Sequence, residues 1–119
     1  DNMIDVNHWY NPSSASGQAM RAKTEADGNY FTFEVYCAYM SVMFLADGFE
    51  RAGSTDKEAV NAALAGSTID VDFMPYGKTE MVNGQNMGSR AVAIQAQKGD
   101  VQIIAPSEYA SAKAVFPRT

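Results

Sequence analysis

One cysteine, one histidine and nine basic residues among 119 close off several kinds of chemistry before any pattern is read. Cys37 alone cannot form an internal disulfide and leaves the redox compartment open. It stands in an apolar stretch, where a free thiol behaves as a small buried hydrophobe. His8 is the only base available to a Ser-His-Asp arrangement, and no Gly-x-Ser-x-Gly turn presents a nucleophile to it. A single His and a single Cys far apart make no zinc set. Gly84-x-x-x-Gly88 lacks the lysine and the helix of a phosphate loop. Asp70 and Asp72 form an i, i+2 carboxylate pair, but on an edge strand both stay solvated and neither gains the shifted acidity that acid–base work needs. The sequence therefore predicts no enzyme, no metal and no cofactor.

Scarcity of positive charge is equally restrictive. A formal charge of −5 and scattered Lys and Arg exclude a nucleic-acid partner, which needs clustered cations. The longest apolar run, Val35 to Ala46, has one Ser and no charge. It covers about twelve residues where a membrane span needs roughly 20, and Glu34 and Asp47 close its ends. A core helix buried on several sides is expected there. The first residues, Asp1-Asn2-Met3-Ile4, have no basic leader region.

What is present suits one α/β or α+β domain over residues 1–119. The chain is 46% apolar and 19% charged, enough to bury a core and too little charged for disorder. Ile4 to Trp9 alternates as a short strand. Pro12 and the serines Ser13 and Ser14 then turn the chain and offer N-cap oxygens. A surface helix follows from Ala15 to Asp27, stopped at Gly28. A second helix starts near Thr32 or Phe33 and ends before Gly53, with Gly48 allowing close helix packing. Thr55 and Glu58 have capping-box spacing for a third helix, Asp56 to Leu64. Ile69 to Phe73 reads as an edge strand cut by Pro75 and Gly77, and Gly84 and Gly88 mark a loop. A hairpin of Ala91–Gln97 and Val101–Ala105 turns at Lys98-Gly99-Asp100. The tail, with Tyr109 and Phe116, is expected to pack back on the body. Seven aromatics, among them Trp9, Tyr10, Tyr36 and Tyr39, gather before and within the second helix, as core or as one wall of a small-molecule cleft.

Several stretches, taken in order, carry a resemblance. They are Ala38-Tyr39, Leu45 to Ser54 (with Glu50-Arg51-Ala52-Gly53-Ser54), Asp56 to Val60 with Ala63-Leu64, and Gly84-Gln85-Asn86. Gln95 to Gly99, Ile103 to Pro106 and Ala112 to Pro117 complete them. Together they resemble the C-terminal end of type I periplasmic solute-binding proteins, the receptors of ABC importers of the branched-chain amino acid class. His8 to Pro12 resembles the segment where that family's chain crosses between lobes for the last time. Met40 departs from the aspartate that often follows the helix tyrosine, and the N-terminal lobe has no counterpart here.

The resemblance implies the C-terminal part of a two-lobed, periplasmic-binding-protein-like fold, with about three helices, short strands and a C-terminal β-hairpin. It implies an extracytoplasmic, periplasmic receptor whose leader lies upstream or has been removed. Such a receptor captures an amino acid or similar small organic ligand and delivers it to an ABC permease. Ligand contact carries over to Phe33, Glu34 and Tyr36, counted back from Tyr39, with Trp9 and Tyr10 flanking the crossover. Glu34 stands where receptors for aliphatic amino acids carry an aromatic. A carboxylate there suits an ammonium group and repels a simple carboxylate ligand. Surface left open by a missing lobe leads us to expect a homodimer. The competing expectation is a stand-alone protein-interaction module with no small-molecule ligand.

Overall fold

The structure, a computed structural model, describes residues 2–116. Three helices and two small antiparallel sheets make an α+β fold. Strand β1 (Ile4–Asn7) leads into helices α1 (Ala15–Ala26), α2 (Phe33–Ala52) and α3 (Lys57–Ala65). Strands β2 (Thr68–Asp70), β3 (Lys78–Val82) and β4 (Gln85–Asn86) form one sheet in that order. Strands β5 (Val92–Gln97) and β6 (Asp100–Ala105) pair as the expected hairpin, and β1 adds to the far edge of β5. Lys98 (φ 54°) and Gly99 (φ 81°) take the left-handed pair of conformations that a two-residue hairpin turn needs.

Local chemistry explains the helix ends. Ser14 caps α1, its hydroxyl accepting from the Gly17 amide at 2.9 Å. Gly53 closes α2 in the left-handed conformation (φ 57°), with its amide on the Phe49 and Glu50 carbonyls. For α3 the cap is Asp56, not Thr55. Its carboxylate accepts from the Glu58 and Ala59 amides at 3.1 and 3.0 Å. The helix thus begins one residue later than the Thr55–Glu58 spacing requires, and Glu58 falls one position short of the capping-box place.

The core gathers Trp9, Tyr10, Tyr36, Met40, Phe73, Met74, Val92 and Ile103. Phe73 and Met74 come from the loop between β2 and β3, so the segment 71–77 inserts into the core instead of extending the strand. The Asn11 amide donates to the Phe73 carbonyl at 2.7 Å, and the Asn11 side chain to the Asp72 carbonyl at 3.0 Å. Gly17 is required beneath them, because a Cβ there would meet Tyr10 Cδ2 at 2.7 Å. Gly48 likewise lets Leu64 of α3 approach, where a Cβ would stand 2.7 Å from Leu64 Cδ2.

Four expectations need correction. The strand at Ile69 stops at Asp70, so Asp70 and Asp72 do not share a strand face; Asp72 accepts hydrogen bonds from Ser14 and Ser16. The region of Gly84 is a hairpin, β3–β4, turning on Asn83 (φ 51°) and Gly84 (φ 78°). Helix α2 is not buried on most sides. Only Tyr36, Met40 and Gly48 are buried along it, while Tyr39, Val42, Leu45 and Phe49 are open to solvent. Among the described residues no helix is long and apolar enough to cross a membrane. In the tail, Tyr109 packs on the core as expected, but Phe116 is 71% exposed; Pro117 lies outside the described residues.

Gln95, wholly buried in the middle strand, ties the sheet to both ends of the chain. Its amide nitrogen donates at 3.0 Å to the carbonyls of Asn2 and Val115, and its oxygen accepts from the Val115 amide at 2.9 Å. Ser111 adds a second anchor, its amide donating to the Ile103 carbonyl at 2.9 Å.

The molecule is thin and extended, about 54 × 32 × 19 Å. Its radius of gyration is 16.4 Å, against about 13.5 Å for a compact chain of this length. It exposes 7438 Å², where a compact monomer of 12.9 kDa exposes roughly 6300 Å².

Candidate functional site

Polar and aromatic groups converge at one place, where the segment after β1, helix α1, the α1–α2 loop and the β5–β6 turn meet. A recess of about 320 Å³ there is walled by Trp9, Tyr30 and Phe31 on one side and by Arg21, Glu25 and Asp100 on the other. The aromatic side is built edge-on. Phe31 stands against Trp9 at 6.0 Å and against Tyr10 at 5.0 Å, both near-perpendicular, the arrangement that sets a positive ring edge on a negative face. Tyr10 and Tyr36 back this wall from the core, 6.5 Å apart.

Arg21 organises the polar side. Its two terminal nitrogens reach Asp100 at 2.9 and 3.3 Å, and Nε reaches Glu25 one helical turn on at 2.8 Å. Asp100, then Glu25, hold the guanidinium still further above its already high range. The fork joins α1 to the β5–β6 turn, and planar bidentate pairing is what Arg supplies and Lys does not. Charge in the recess sums to −1: Arg21 contributes +1, Glu25 and Asp100 −1 each. Both carboxylates are engaged by Arg21, and of the aromatic side chains the Tyr30 ring is 92% exposed while Trp9 is 8% exposed.

A larger groove, about 540 Å³, runs between α1 and α2 along Ala19, Met20 and Tyr39. Its charged rim, Lys23 and Asp27, is already paired at 3.1 Å. Ser16 and Thr24 are the uncharged polar side chains of its lining.

The five residues taken from the resemblance fall into two groups. Trp9, Tyr10 and Tyr36 are buried, at 8, 5 and 1% exposure, and only Trp9 reaches the recess. Phe33 and Glu34 lie exposed on the first turn of α2, two residues beyond Phe31. The Thr32 hydroxyl holds the Glu34 carboxyl below its ordinary range. Arg21, Glu25 and Asp100 are what sequence reasoning missed. The i, i+4 spacing of Arg21 and Glu25 marks a helix-face ion pair, but nothing local joins it to a turn 79 residues away. Among the described residues no group of three or more His, Cys, Asp or Glu side chains gathers as a metal site would. Compared with protein-family models and with curated proteins, the chain matched none.

Proposed function

We propose that this chain is the C-terminal portion of a two-lobed extracytoplasmic solute-binding receptor. It captures an amino acid or similar small organic ligand and presents it to an ABC permease. The observation that carries the reading is the recess at Trp9 and Phe31. An aromatic wall and a charged wall of Arg21, Glu25 and Asp100 meet in a space of small-molecule size, which in this reading a second lobe would close. Phe33 and Glu34, exposed on the first turn of α2 two and three residues after Phe31, would meet the ligand from outside the recess lining. No covalent step is involved, since closure around a ligand is a population shift driven by better contacts in the closed state. The negative balance of the recess and Glu34 together favour a ligand bearing an ammonium group.

Calorimetric titration tests this on the receptor expressed with the coding sequence that precedes this chain. Amino acids and amines should bind, Trp9→Ala should abolish binding, and Glu34→Ala should weaken ammonium-bearing ligands more than simple carboxylates. The 119-residue chain alone should bind weakly, because one wall buries far less than the roughly 70–90% of a ligand that a formed pocket covers. No heat from any ligand class with the longer protein would sink the reading. The open apolar side of α2 favours a second reading, a protein-interaction module, in which the surface and not the recess does the recognising.

A further inference from the structure

The side of α2 turned away from the core carries no charge over about four turns. On it Tyr39, Val42, Leu45 and Phe49 are 51, 66, 45 and 43% exposed, with Tyr39 at the margin, one edge of its ring against core Phe73 at 5.8 Å. Ala38 and Ala46 lie exposed between them, and Val35 is half-buried. At about 100° per residue these positions share an arc of roughly 120° centred on Val42. Asp47 and Arg51 point elsewhere, bonded to each other at 2.7 Å, and Glu34 and Glu50 fall just beyond opposite margins of the stripe.

Side-chain size along the stripe reads the same in both directions from Val42. Four residues away on either side stands an alanine, Ala38 or Ala46. Three residues away stands a large side chain, Tyr39 or Leu45, and seven away another apolar one, Val35 or Phe49. A second α2 laid antiparallel, with a two-fold axis at Val42, therefore sets large against small. Tyr39 meets the partner's Ala46, Leu45 meets the partner's Ala38, and Phe49 meets the partner's Val35. Alanines at the crossing let two helix axes come within about 8–10 Å. Because Glu34 and Glu50 occupy opposite margins, the axis opposes neither to another carboxylate, and antiparallel dipoles attract.

We infer that this stripe is a self-recognition surface through which two copies of the chain pair by antiparallel α2 helices about a two-fold axis at Val42. The size palindrome supports a second copy as the occupant, and area suffices for one. The chain exposes roughly 1100 Å² beyond what a compact monomer of its mass shows, and each partner gives about 800 Å² to a standard interface. The groove between α1 and α2 adjoins Tyr39 and extends the stripe sideways along Ala19 and Met20. A two-fold interface must be complementary to itself, and a palindrome of sizes meets that condition. The pairing is independent of any ligand in the recess.

Sedimentation equilibrium of the 119-residue chain at roughly 100 μM, above the micromolar Kd of an interface of modest size, should give a dimer. Val42→Glu places its charge at an exposed position, so far-UV circular dichroism should be unchanged while association weakens at least about tenfold. In a Cys37→Ser background, Val42→Cys should cross-link to a dimer under mild oxidation and Ser41→Cys, off the axis, should not. A monomer that binds an apolar dye would assign the stripe to another element of a longer protein and overturn the inference. So would a dimer that survives Val42→Glu or fails to cross-link through Val42→Cys.

Discussion

Tyr36→Phe removes one oxygen from a ring that is 1% exposed. That hydroxyl is buried with no hydrogen-bond partner among the described residues, whereas in the unfolded chain water satisfies it. A polar group stranded in this way costs about 1–3 kcal/mol. Phenylalanine keeps the ring and its packing on Tyr10 and Phe31, so no cavity offsets the gain. The variant should therefore be more stable by roughly 1 kcal/mol, which raises Tm by about 3–5 °C in a chain of this size. A second readout comes from alkali. Burial above all, with Cys37, Tyr76 and Glu34 adding, holds the Tyr36 phenol well above its ordinary 10.0. A raised folded value means that the fold favours the protonated phenol. Its contribution is complete below pH 10.0 and is lost as pH rises from there toward the folded value, because the unfolded chain ionises first. Phenylalanine has nothing to ionise, so the stability gap between variant and parent should widen above that pH. Burial also raises Tyr109, which is present in both chains and cancels in the difference; Cys37, raised by burial too, acts on Tyr36 and adds to the widening. Urea unfolding followed by circular dichroism, at neutral pH and again above 10.0, measures both effects. A variant about 1 kcal/mol less stable at neutral pH, or a gap that does not change in alkali, would show that the hydroxyl is bonded in the folded state.

The exposure of α2 and the burial of β6 make opposite forecasts for one kind of change. Leu45→Asp, measured dilute enough to be monomeric, should move stability by no more than about 0.5 kcal/mol. Ile103→Asp, at a wholly buried position, should unfold the chain, since an unpaired buried charge costs several kcal/mol of a total near 5–15; equal thermal melting of the two would refute the placement of both. Asp72 is held below its ordinary 3.8, first by the Ser16 hydroxyl and then by that of Ser14. Its contribution is present above that value and lost as pH falls through the folded one, so Asp72→Asn should lower Tm at neutral pH and flatten the acid limb, and superimposable acid limbs would discount the pairing.

Sequence and structure agree where local chemistry decides. The β5–β6 hairpin announces itself by alternation and by Lys98-Gly99, and the ends of α1 and α2 by Ser14 and Gly53. Asn83-Gly84 is an equally direct hairpin signal. Its arms, Met81-Val82 and Gln85-Asn86, are too short to show a period, and Gly88 nearby makes the stretch read as a loop. The inward turn of Phe73 and Met74 depends on Asn11 reaching across from the other end of the chain, which no window of sequence contains. An apolar surface all round α2 looks the same whether the covering comes from this chain or from another, so the run Val35–Ala46 reads as core. At the candidate site Trp9 was visible as an aromatic beside a turn, but Arg21 and Asp100 meet only through the fold.

Gln95 has a topological consequence. Its single amide nitrogen binds the carbonyls of Asn2 and Val115 at the same distance, so those two carbonyl oxygens lie no more than twice a hydrogen bond apart. One buried side chain thus clips two segments remote in sequence side by side, so a longer protein holding this unit would lead its chain in past Asn2 and out past Val115 at neighbouring points.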